Sequence, residues 1–272
     1  MSHAHLASIL ELAQQLAFSA GKTVVELRQQ SLNKEFKGEQ AELVTNADLA
    51  ADRLICQGIA ERFPEHQILA EESNPHWHSI KTQAQPLWII DPIDGTVNFA
   101  HGHAQSAISI AYCEGDEPLV GVVHNPFNQE TFTAIKGQGA FLNGQAIKPS
   151  HEVNLSRALV ATGFPYDRSQ RAALIPRVQA ILEHCADIRR LGAAALDICW
   201  VACGRLDAYW ETLSIWDFAA AQVIAKEAGC AYGHLYPVPE HTPAAYWNKD
   251  IVVANADLYP SFKAILLESE QH

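Results

Sequence analysis

The sequence predicts a single layered protein of mixed α and β structure, and three observations carry that prediction. In the first half, helical periodicity is followed by consecutive apolar segments of strand length, which is typical of an antiparallel sheet covered by helices. From about residue 158 onward, short apolar segments alternate with helical ones, which is typical of an α/β arrangement. No repeat or flexible linker separates the halves, so we predict one unit over residues 1–272, with a soft boundary near 150–157 between an antiparallel lobe (1–150) and an α/β lobe (151–272).

The predicted antiparallel lobe begins with two helices. Apolar side chains recur every three or four positions over residues 4–30, which predicts a long amphipathic helix. A second helix is predicted from about Asp48 to Phe63, because Pro64 stops it. The dipeptide Asn143-Gly144 predicts a hairpin turn near the end of the lobe. The strands are predicted at residues 67–70, 87–91, 106–114, 117–125 and 130–137.

The α/β lobe is predicted from the alternation of strand-length and helix-length segments. Its strands are predicted at residues 158–162, 187–191, 207–211 and 250–255. Its helices are predicted at residues 170–184, 193–203, 216–228 and 256–267. In the third of these helices, Ala219, Ala220 and Ala221 are small enough to let the helix pack closely against a neighbouring layer.

Composition restricts the expected partners and location of the protein. A formal charge of −12 repels the phosphates of nucleic acids and of anionic membranes, so neither is an expected partner. No apolar run reaches the roughly 18 residues of a membrane span, and we expect a cytoplasmic location. The six cysteines include no Cys-x-x-Cys pair and are predicted to be reduced thiols, although the spacing of Cys199 and Cys203 would also suit a soft metal.

The segment WIIDPIDGT at residues 88–96 brings two carboxylates to the end of a predicted buried strand. Pro92 has no N–H group and a fixed φ, so we expect the chain to leave the strand there and the side chains of Asp91 and Asp94 to turn toward one point. Gly95 permits close approach of a ligand, Thr96 supplies a hydroxyl, and free amides at the start of a short helix would bind an anion. Carboxylates beside an anion site require cations between them, and such hard oxygen ligands favour Mg²⁺ or Mn²⁺.

Two further carboxylates are candidates for the same site. Glu71 follows the predicted strand 67–70, and Asp217 lies at the start of the predicted helix 216–228. Each also has an ordinary structural explanation, because paired glutamates are usually solvated and an acidic residue in the first turn of a helix is usually a cap. The residues alone leave both explanations open.

Six motifs, in order along the chain, resemble the inositol monophosphatase family of Mg²⁺-dependent phosphatases. They are LVTNAD (43–48), AEES (70–73), WIIDPIDGTVNFAHG (88–102), GQGAFLNG (137–144), RRLGAAALDICWVACGRLDAYWE (189–211) and WDFAAAQVIAKEAG (216–229). The resemblance implies a five-layered α-β-α-β-α sandwich, a homodimer and inhibition by lithium. It also implies hydrolysis of a small phosphomonoester, inositol 1-phosphate, by direct attack of metal-activated water.

The resemblance implies two or three Mg²⁺ ions, with Mn²⁺ as a substitute, and assigns their ligands position by position. Glu71, Asp91 and the carbonyl group of Ile93 would hold the first ion. Asp91, Asp94 and Asp217 would hold the second. Glu71 would also orient water around a third, weaker ion.

The resemblance also implies catalytic and substrate-binding roles. Thr96, assisted by Asp48, would position the attacking water, and Glu71 is the third implied catalytic residue. Lys37 occupies the place of a family lysine near the site. The implied substrate-binding residues are Asp94, Gly95, Thr96, Ala193, Ala194, Glu211 and Asp217.

Two departures from the family pattern bear on the substrate. Ala193 stands where many relatives have Ser or Thr, and Glu211 lies one residue closer to Asp217 than in typical inositol enzymes. We therefore expect a broader pocket that accepts other small polyol phosphates. Histidinol phosphate, fructose bisphosphate and a 3′-phosphonucleotide stay open as alternative substrates, as does an added role with the transcription machinery, which some bacterial relatives engage. An aspartyl-phosphate mechanism of the haloacid dehalogenase type is disfavoured, because two residues rather than one separate Asp91 from Asp94.

Overall fold

A computed structural model describes residues 3–30, 32–37, 42–76, 85–165, 171–172 and 174–269. Within this part of the chain, helices cover the faces of two large sheets. The helices are α1 (His3–Arg28), α2 (Asn46–Arg62), α3 (Thr96–Ala100), α4 (Ile175–His184), α5 (Ala194–Ala202), α6 (Ile215–Ala228) and α7 (Tyr259–Glu268). No described helix is both long enough and apolar enough to cross a membrane.

The first half of the chain forms a two-stranded hairpin and a seven-stranded sheet. The hairpin pairs β1 (Lys34–Lys37) with β2 (Glu42–Thr45). The sheet contains β3 (Gln67–Ala70), β4 (Leu87–Asp94), β5 (Ala107–Glu114), β6 (Glu117–Asn125), β7 (Glu130–Ile135), β8 (Ala140–Leu142) and β9 (Gln145–Ala146), in that order. Only β3 and β4 pair in parallel within it, so the predicted antiparallel character is confirmed. The predicted turn joins β8 to β9, with positive φ at both Asn143 and Gly144 as such a tight hairpin requires.

The second half of the chain forms a five-stranded mixed sheet. Its strands are β10 (Leu159–Thr162), β11 (Asp187–Arg189), β12 (Ala208–Glu211), β13 (Cys230–His234) and β14 (Ile251–Asn255). The spatial order is β11-β10-β12-β14-β13, with β10 parallel to both of its neighbours and β14 antiparallel to both of its own. The predicted α/β character of this half is confirmed.

Three buried clusters hold five layers together. One cluster joins α1 and α2 to one face of the seven-stranded sheet, where Trp88 and Ile90 point. The largest contains α5, α6, the other face of that sheet, with Leu87 and Ile89, and one face of the five-stranded sheet. The third joins the remaining face of the five-stranded sheet to α4 and α7. The order of layers is therefore α-β-α-β-α, as the resemblance implied.

Helix α6 packs very closely against the seven-stranded sheet. Ala219, Ala220 and Ala221 are fully buried, and a Cβ atom placed on Gly121 of β6 would lie 2.3 Å from the carbonyl oxygen of Ala220. Only glycine fits at that point of β6, and the expected role of the small residues of α6 is confirmed. All six cysteines are free thiols, and no cluster of potential metal ligands among the described residues includes Cys199 or Cys203.

Several elements differ from the sequence-based prediction. Strand β4 does not end at residue 91 but continues through Pro92 to Asp94. The hairpin β1–β2 and strand β13 were not predicted, and α4 begins at Ile175 rather than at residue 170. Residues 166–170 and 173 of that predicted helix lie outside the described part of the chain. The division into lobes at 150–157 stays a prediction.

Candidate active site

A β-bulge brings Asp91 and Asp94 to the same side of the seven-stranded sheet. Strands β4 and β5 pair regularly up to Asp91 opposite Ser109, and the register then shifts before Asp94 meets Ala107. Residues three apart in a regular strand point to opposite faces, and one inserted residue corrects this. Pro92 suits the bulge because it has no N–H group to leave unpaired. The two carboxylates therefore converge because the strand is irregular, not because the chain leaves the sheet at Pro92.

Asp94 is fixed by the N-terminus of α5. The backbone N–H of Ala194 donates to Asp94 Oδ1 at 3.2 Å, and that of Ala195 donates to Oδ2 at 2.8 Å. These are among the amides that a helix cannot satisfy internally, and their partial positive charge favours a carboxylate. Asn98 of α3 holds this region in place by donating to the carbonyl oxygen of Leu191 at 2.7 Å.

Asp217 is both a helix cap and a member of the acidic cluster. Its Oδ2 accepts the backbone N–H of Ser214 at 2.8 Å, in the capping box that begins α6. The Ser109 hydroxyl anchors this end of α6 to β5 by donating to the Trp216 carbonyl at 3.2 Å. One carboxylate oxygen each from Asp91, Asp94 and Asp217 lies within 4.8 Å of the other two. Asp217 is therefore both part of the capping box of α6 and a member of the acidic cluster, so the two explanations left open by the sequence are compatible.

Thr96 lies at the start of α3, between two acceptors. Its Oγ1 is 3.1 Å from Asp48 Oδ1 and 3.0 Å from the carbonyl oxygen of Ile93. Asp48 is also a capping-box residue, because its Oδ2 accepts the N–H of Thr45 at 2.8 Å at the start of α2. The preceding residue, Gly95, has φ of 86°, and an added Cβ there would lie 2.8 Å from the Gln105 carbonyl oxygen.

The other side of the cleft contains a second group of carboxylates. Tyr209 and Glu211 are two residues apart on β12, and the Tyr209 hydroxyl donates to Glu211 Oε2. Asp197, in the first turn of α5, is buried and also lines the cleft. Among the described residues that line the cleft, Arg190 is the basic one.

Ten of the predicted site residues line a single cleft. The lining contains Glu71, Asp91, Ile93, Asp94, Gly95, Thr96, Ala193, Ala194, Glu211 and Asp217. Asp48 lies behind Thr96 rather than on the wall of the cleft. The side chain of Lys37 lies outside the described part of the structure.

The carboxylates of the cleft oppose one another's ionisation. Burial and the charges of Glu71, Asp94 and Asp217 raise the pKa of Asp91 well above its usual value. Burial and the charges of Asp94 and Glu71 do the same to the pKa of Asp217. Burial raises the pKa of Asp94 to about 7, although the amides of Ala195 and Ala194 act in the opposite direction. Bound cations would offset this mutual repulsion and favour the ionised carboxylates.

The donor atoms of the cluster fit a hard divalent cation. They are the carboxylate oxygens of Asp91, Asp94 and Asp217, and no cysteine or histidine lines the cleft among the described residues. Oxygen-only sets of this kind select Mg²⁺ or Mn²⁺ over zinc.

Sequence reasoning missed Asp197 and Arg190, which line the cleft, and Tyr209, which donates a hydrogen bond to Glu211. Tyr209 had a usable signal, because residues two apart on a strand share a face and Glu211 was already a candidate. A single charged residue within AALDICWVA was a signal for Asp197, since carboxylates are rarely placed in an otherwise apolar helix without a partner. Nothing in the local pattern singled out Arg190, which follows another arginine and reaches the cleft through the fold.

The order of the five layers and the acidic cluster agree with the family resemblance of the six motifs. The model of the inositol monophosphatase family matches residues 5–271. An inositol-1-monophosphatase from Synechocystis sp. is 42% identical over 84% of this chain and 79% of its own length, and the Nus factor SuhB from Salmonella typhimurium is 42% identical over 69% and 70%. The crystal structure of extragenic suppressor protein SuhB from Bartonella henselae superposes with a TM-score of 0.86 and 32% identity, over 95% of this chain and 98% of that one. The chain belongs to the inositol monophosphatase family.

Proposed function

We propose that this protein is a Mg²⁺-dependent phosphomonoesterase that hydrolyses inositol 1-phosphate to inositol and phosphate by direct attack of water. The observation that carries the proposal is the convergence of Asp91, Asp94 and Asp217, with oxygens within 4.8 Å of one another, beside the hydroxyl of Thr96. An inositol-1-monophosphatase among the relatives supports the choice of substrate. A homodimer and sensitivity to lithium belong to the same proposal.

The carboxylates of the cleft would hold the ions that the reaction needs. Glu71, Asp91 and the Ile93 carbonyl would bind one Mg²⁺, and Asp91, Asp94 and Asp217 a second, with Glu71 also serving a third, weaker site. Bound Mg²⁺ would neutralise the phosphate, lower the pKa of the attacking water and stabilise the departing alkoxide. Without cations, the clustered carboxylates would repel a phosphate dianion, because each such pair costs several kcal/mol at an effective dielectric of about 20.

Thr96 would orient the attacking water. A hydroxyl has one proton, so Thr96 donates either to Asp48 Oδ1 at 3.1 Å or to the Ile93 carbonyl at 3.0 Å. In either case the hydroxyl oxygen would also be able to accept a hydrogen bond from a water molecule in the cleft. The capping contact with Thr45 fixes the Asp48 carboxylate, and Asp48 in turn fixes Thr96.

The remaining substrate contacts would come from both sides of the cleft. The backbone amides of Gly95 and Thr96 would bind the phosphate, close to Asp94 and Asp217. The Tyr209 hydroxyl occupies Oε2 of Glu211, which leaves Oε1 to accept a hydrogen bond from a substrate hydroxyl. The alanines at 193 and 194 leave space beside the leaving group, so other small polyol phosphates, such as glycerol 2-phosphate, are expected substrates as well.

A phosphate-release screen tests the proposal. Inositol 1-phosphate, glycerol 2-phosphate, histidinol phosphate, fructose 1,6-bisphosphate and a 3′-phosphonucleotide are each incubated with the protein in Mg²⁺ and in EDTA. We expect the polyol esters to be cleaved best, and only with Mg²⁺. Preference for one of the other three esters would refute the substrate assignment but keep the metal site. Equal release in EDTA would refute the metal site itself.

A further inference from the structure

Asp197 is a buried carboxylate with an oxygen that has no partner. The residue is 1% exposed, and its Oδ1 makes no hydrogen bond within the described part of the structure. Asp197 is nevertheless among the residues that line the cleft. Every other carboxylate discussed so far that is buried to this degree has a named donor: Asp48 has Thr45 and Thr96, and Asp91 has the N–H of Ile93 at 3.0 Å.

A buried carboxylate oxygen without a hydrogen-bond partner destabilises the folded protein. The free energy needed to remove such a group from water without a replacement hydrogen bond exceeds the net stabilisation that an ordinary hydrogen bond provides. The rest of α5 is apolar and the helix needs no charged residue there for packing. The cost is offset if a donor arrives when the cleft is filled.

The position of Asp197 on α5 identifies the part of the ligand that it meets. Its backbone N–H donates to the carbonyl of Ala193 at 3.0 Å, so the two residues are one helical turn apart and share a face. Ala193 has no hydroxyl to offer a ligand, and Asp197 lies one turn further along the same helix face, among the residues that line the cleft. Asp197 thus supplies an acceptor on the face where Ala193 supplies none.

The same part of the cleft contains Glu211. Burial, followed by the charges of Asp94 and Glu211, raises the pKa of Asp197 well above its usual value, while Arg190 lowers it. Glu211 and Asp197 are therefore electrostatic neighbours, and both line the cleft. Two carboxylate acceptors on one cleft match a leaving group that carries several hydroxyl groups.

We propose that Asp197 is a specificity-determining residue, whose Oδ1 accepts a hydrogen bond from a hydroxyl of the polyol leaving group. This inference rests on the proposed phosphatase function and extends it to a residue outside the metal ligands. The ester bond and the attacking water do not involve Asp197. Its substitution should therefore affect esters that carry hydroxyl groups and spare an ester that carries none.

The test compares two substrates across three variants in saturating Mg²⁺. We expect Asp197→Ala to lower kcat/KM for inositol 1-phosphate by about tenfold or more and that for 4-nitrophenyl phosphate by less than about threefold. Asp197→Asn keeps a carbonyl acceptor and nearly the same shape, so it should restore part of the loss. Cys199→Ala removes a buried side chain two residues further along α5, outside the cleft lining, and should leave the ratio between the substrates unchanged.

The outcomes separate this inference from the function on which it rests. If the unmodified enzyme cleaves 4-nitrophenyl phosphate with a higher kcat/KM than both inositol 1-phosphate and glycerol 2-phosphate, the cleft does not recognise hydroxyl groups and the proposed function fails. If the unmodified enzyme prefers the polyol esters, but Asp197→Ala and Asp197→Asn lower both reactions equally, Asp197 is structural and only the inference fails. The Asn variant keeps the test valid where the Ala variant does not fold, which thermal unfolding would reveal.

Discussion

The two sides of the cleft are built in different ways. On the side that we propose to bind metal, which contains Asp91, Asp94 and Asp217, the latter two accept hydrogen bonds from backbone amides at helix N-termini. On the side that we propose to bind the leaving group, Glu211 accepts from one tyrosine hydroxyl, and Asp197 Oδ1 has no partner in the described structure. The carboxylates of the first side are thus held in position by the protein backbone, whereas those of the second side have oxygens available to accept hydrogen bonds from a ligand. We infer that the first side sets the reaction and the second sets the substrate.

The largest effect should come from the centre of the metal side. Asp91→Asn keeps the shape of a residue assigned to both ions but removes its charge, so we expect kcat to fall by more than about a hundredfold for every ester. Steady-state phosphate release measures it. Asp116→Asn, in an exposed turn, is the matched control and should leave kcat unchanged. If a preparation of Asp91→Asn that contains no unmodified enzyme had nearly the same kcat, Asp91 would not be a metal ligand.

A smaller loss should follow from the residue that orients water. Thr96→Val preserves the shape but removes the hydroxyl between Asp48 and Ile93, so kcat should fall by about tenfold to a hundredfold with little change in KM. Thr96→Ser keeps the hydroxyl and should recover most of the rate. A change in KM alone would mean that Thr96 binds substrate and does not position water.

On the leaving-group side the effect should depend on the substrate. Glu211→Ala should reduce kcat/KM for inositol 1-phosphate by roughly 1–3 kcal/mol of transition-state binding, the usual cost of a lost polar contact. Hydrolysis of 4-nitrophenyl phosphate should be nearly unchanged, because this ester has no hydroxyl group to bind. Equal losses for both esters would place Glu211 with the metal side and erase the distinction between the two sides.

The smallest expected effect is a shift in pH dependence. Burial raises the pKa of Glu211 to about 7, and the hydrogen bond from Tyr209 acts to lower it. The ionised form accepts hydroxyl hydrogen bonds best, so kcat/KM for inositol 1-phosphate should fall as pH drops through about 7. Tyr209→Phe removes the donor, which should raise the Glu211 pKa further and move this limb of the profile to higher pH. A profile that is identical in the variant and the unmodified enzyme would show that Glu211 does not titrate in this range.

Local patterns were sufficient to predict most of the helices and to single out Asp91, Asp94 and Asp217 as candidates. Asp91 and Asp94 are two carboxylates at the end of an apolar segment, and Asp217 lies in the first turn of its own helix. The amphipathic pattern of α1 likewise follows from its own spacing, with Ile9, Ala13 and Ala17 buried.

The rest depended on contacts between distant segments. The bulge in β4 is defined by its pairing with β5, which the sequence of β4 alone does not specify. Strand β13 alternates poorly and is stabilised by pairing with β14, so its own pattern gave little signal. Asp197 reaches the cleft because α5 is packed between the two sheets, more than 100 residues after the Asp94 carboxylate that the same helix holds.

The central claim, that the acidic cluster is a divalent-metal site required for hydrolysis, has one direct test. Protein freed of metal with EDTA is titrated with Mg²⁺ in a calorimeter, and phosphate release from inositol 1-phosphate is measured on the same samples. We expect the unmodified protein to bind at least two ions and to gain activity as they bind, and Asp217→Asn to lose at least one ion together with most of the activity. Full activity in EDTA, or Mg²⁺ binding that is unchanged in Asp217→Asn, would contradict the claim.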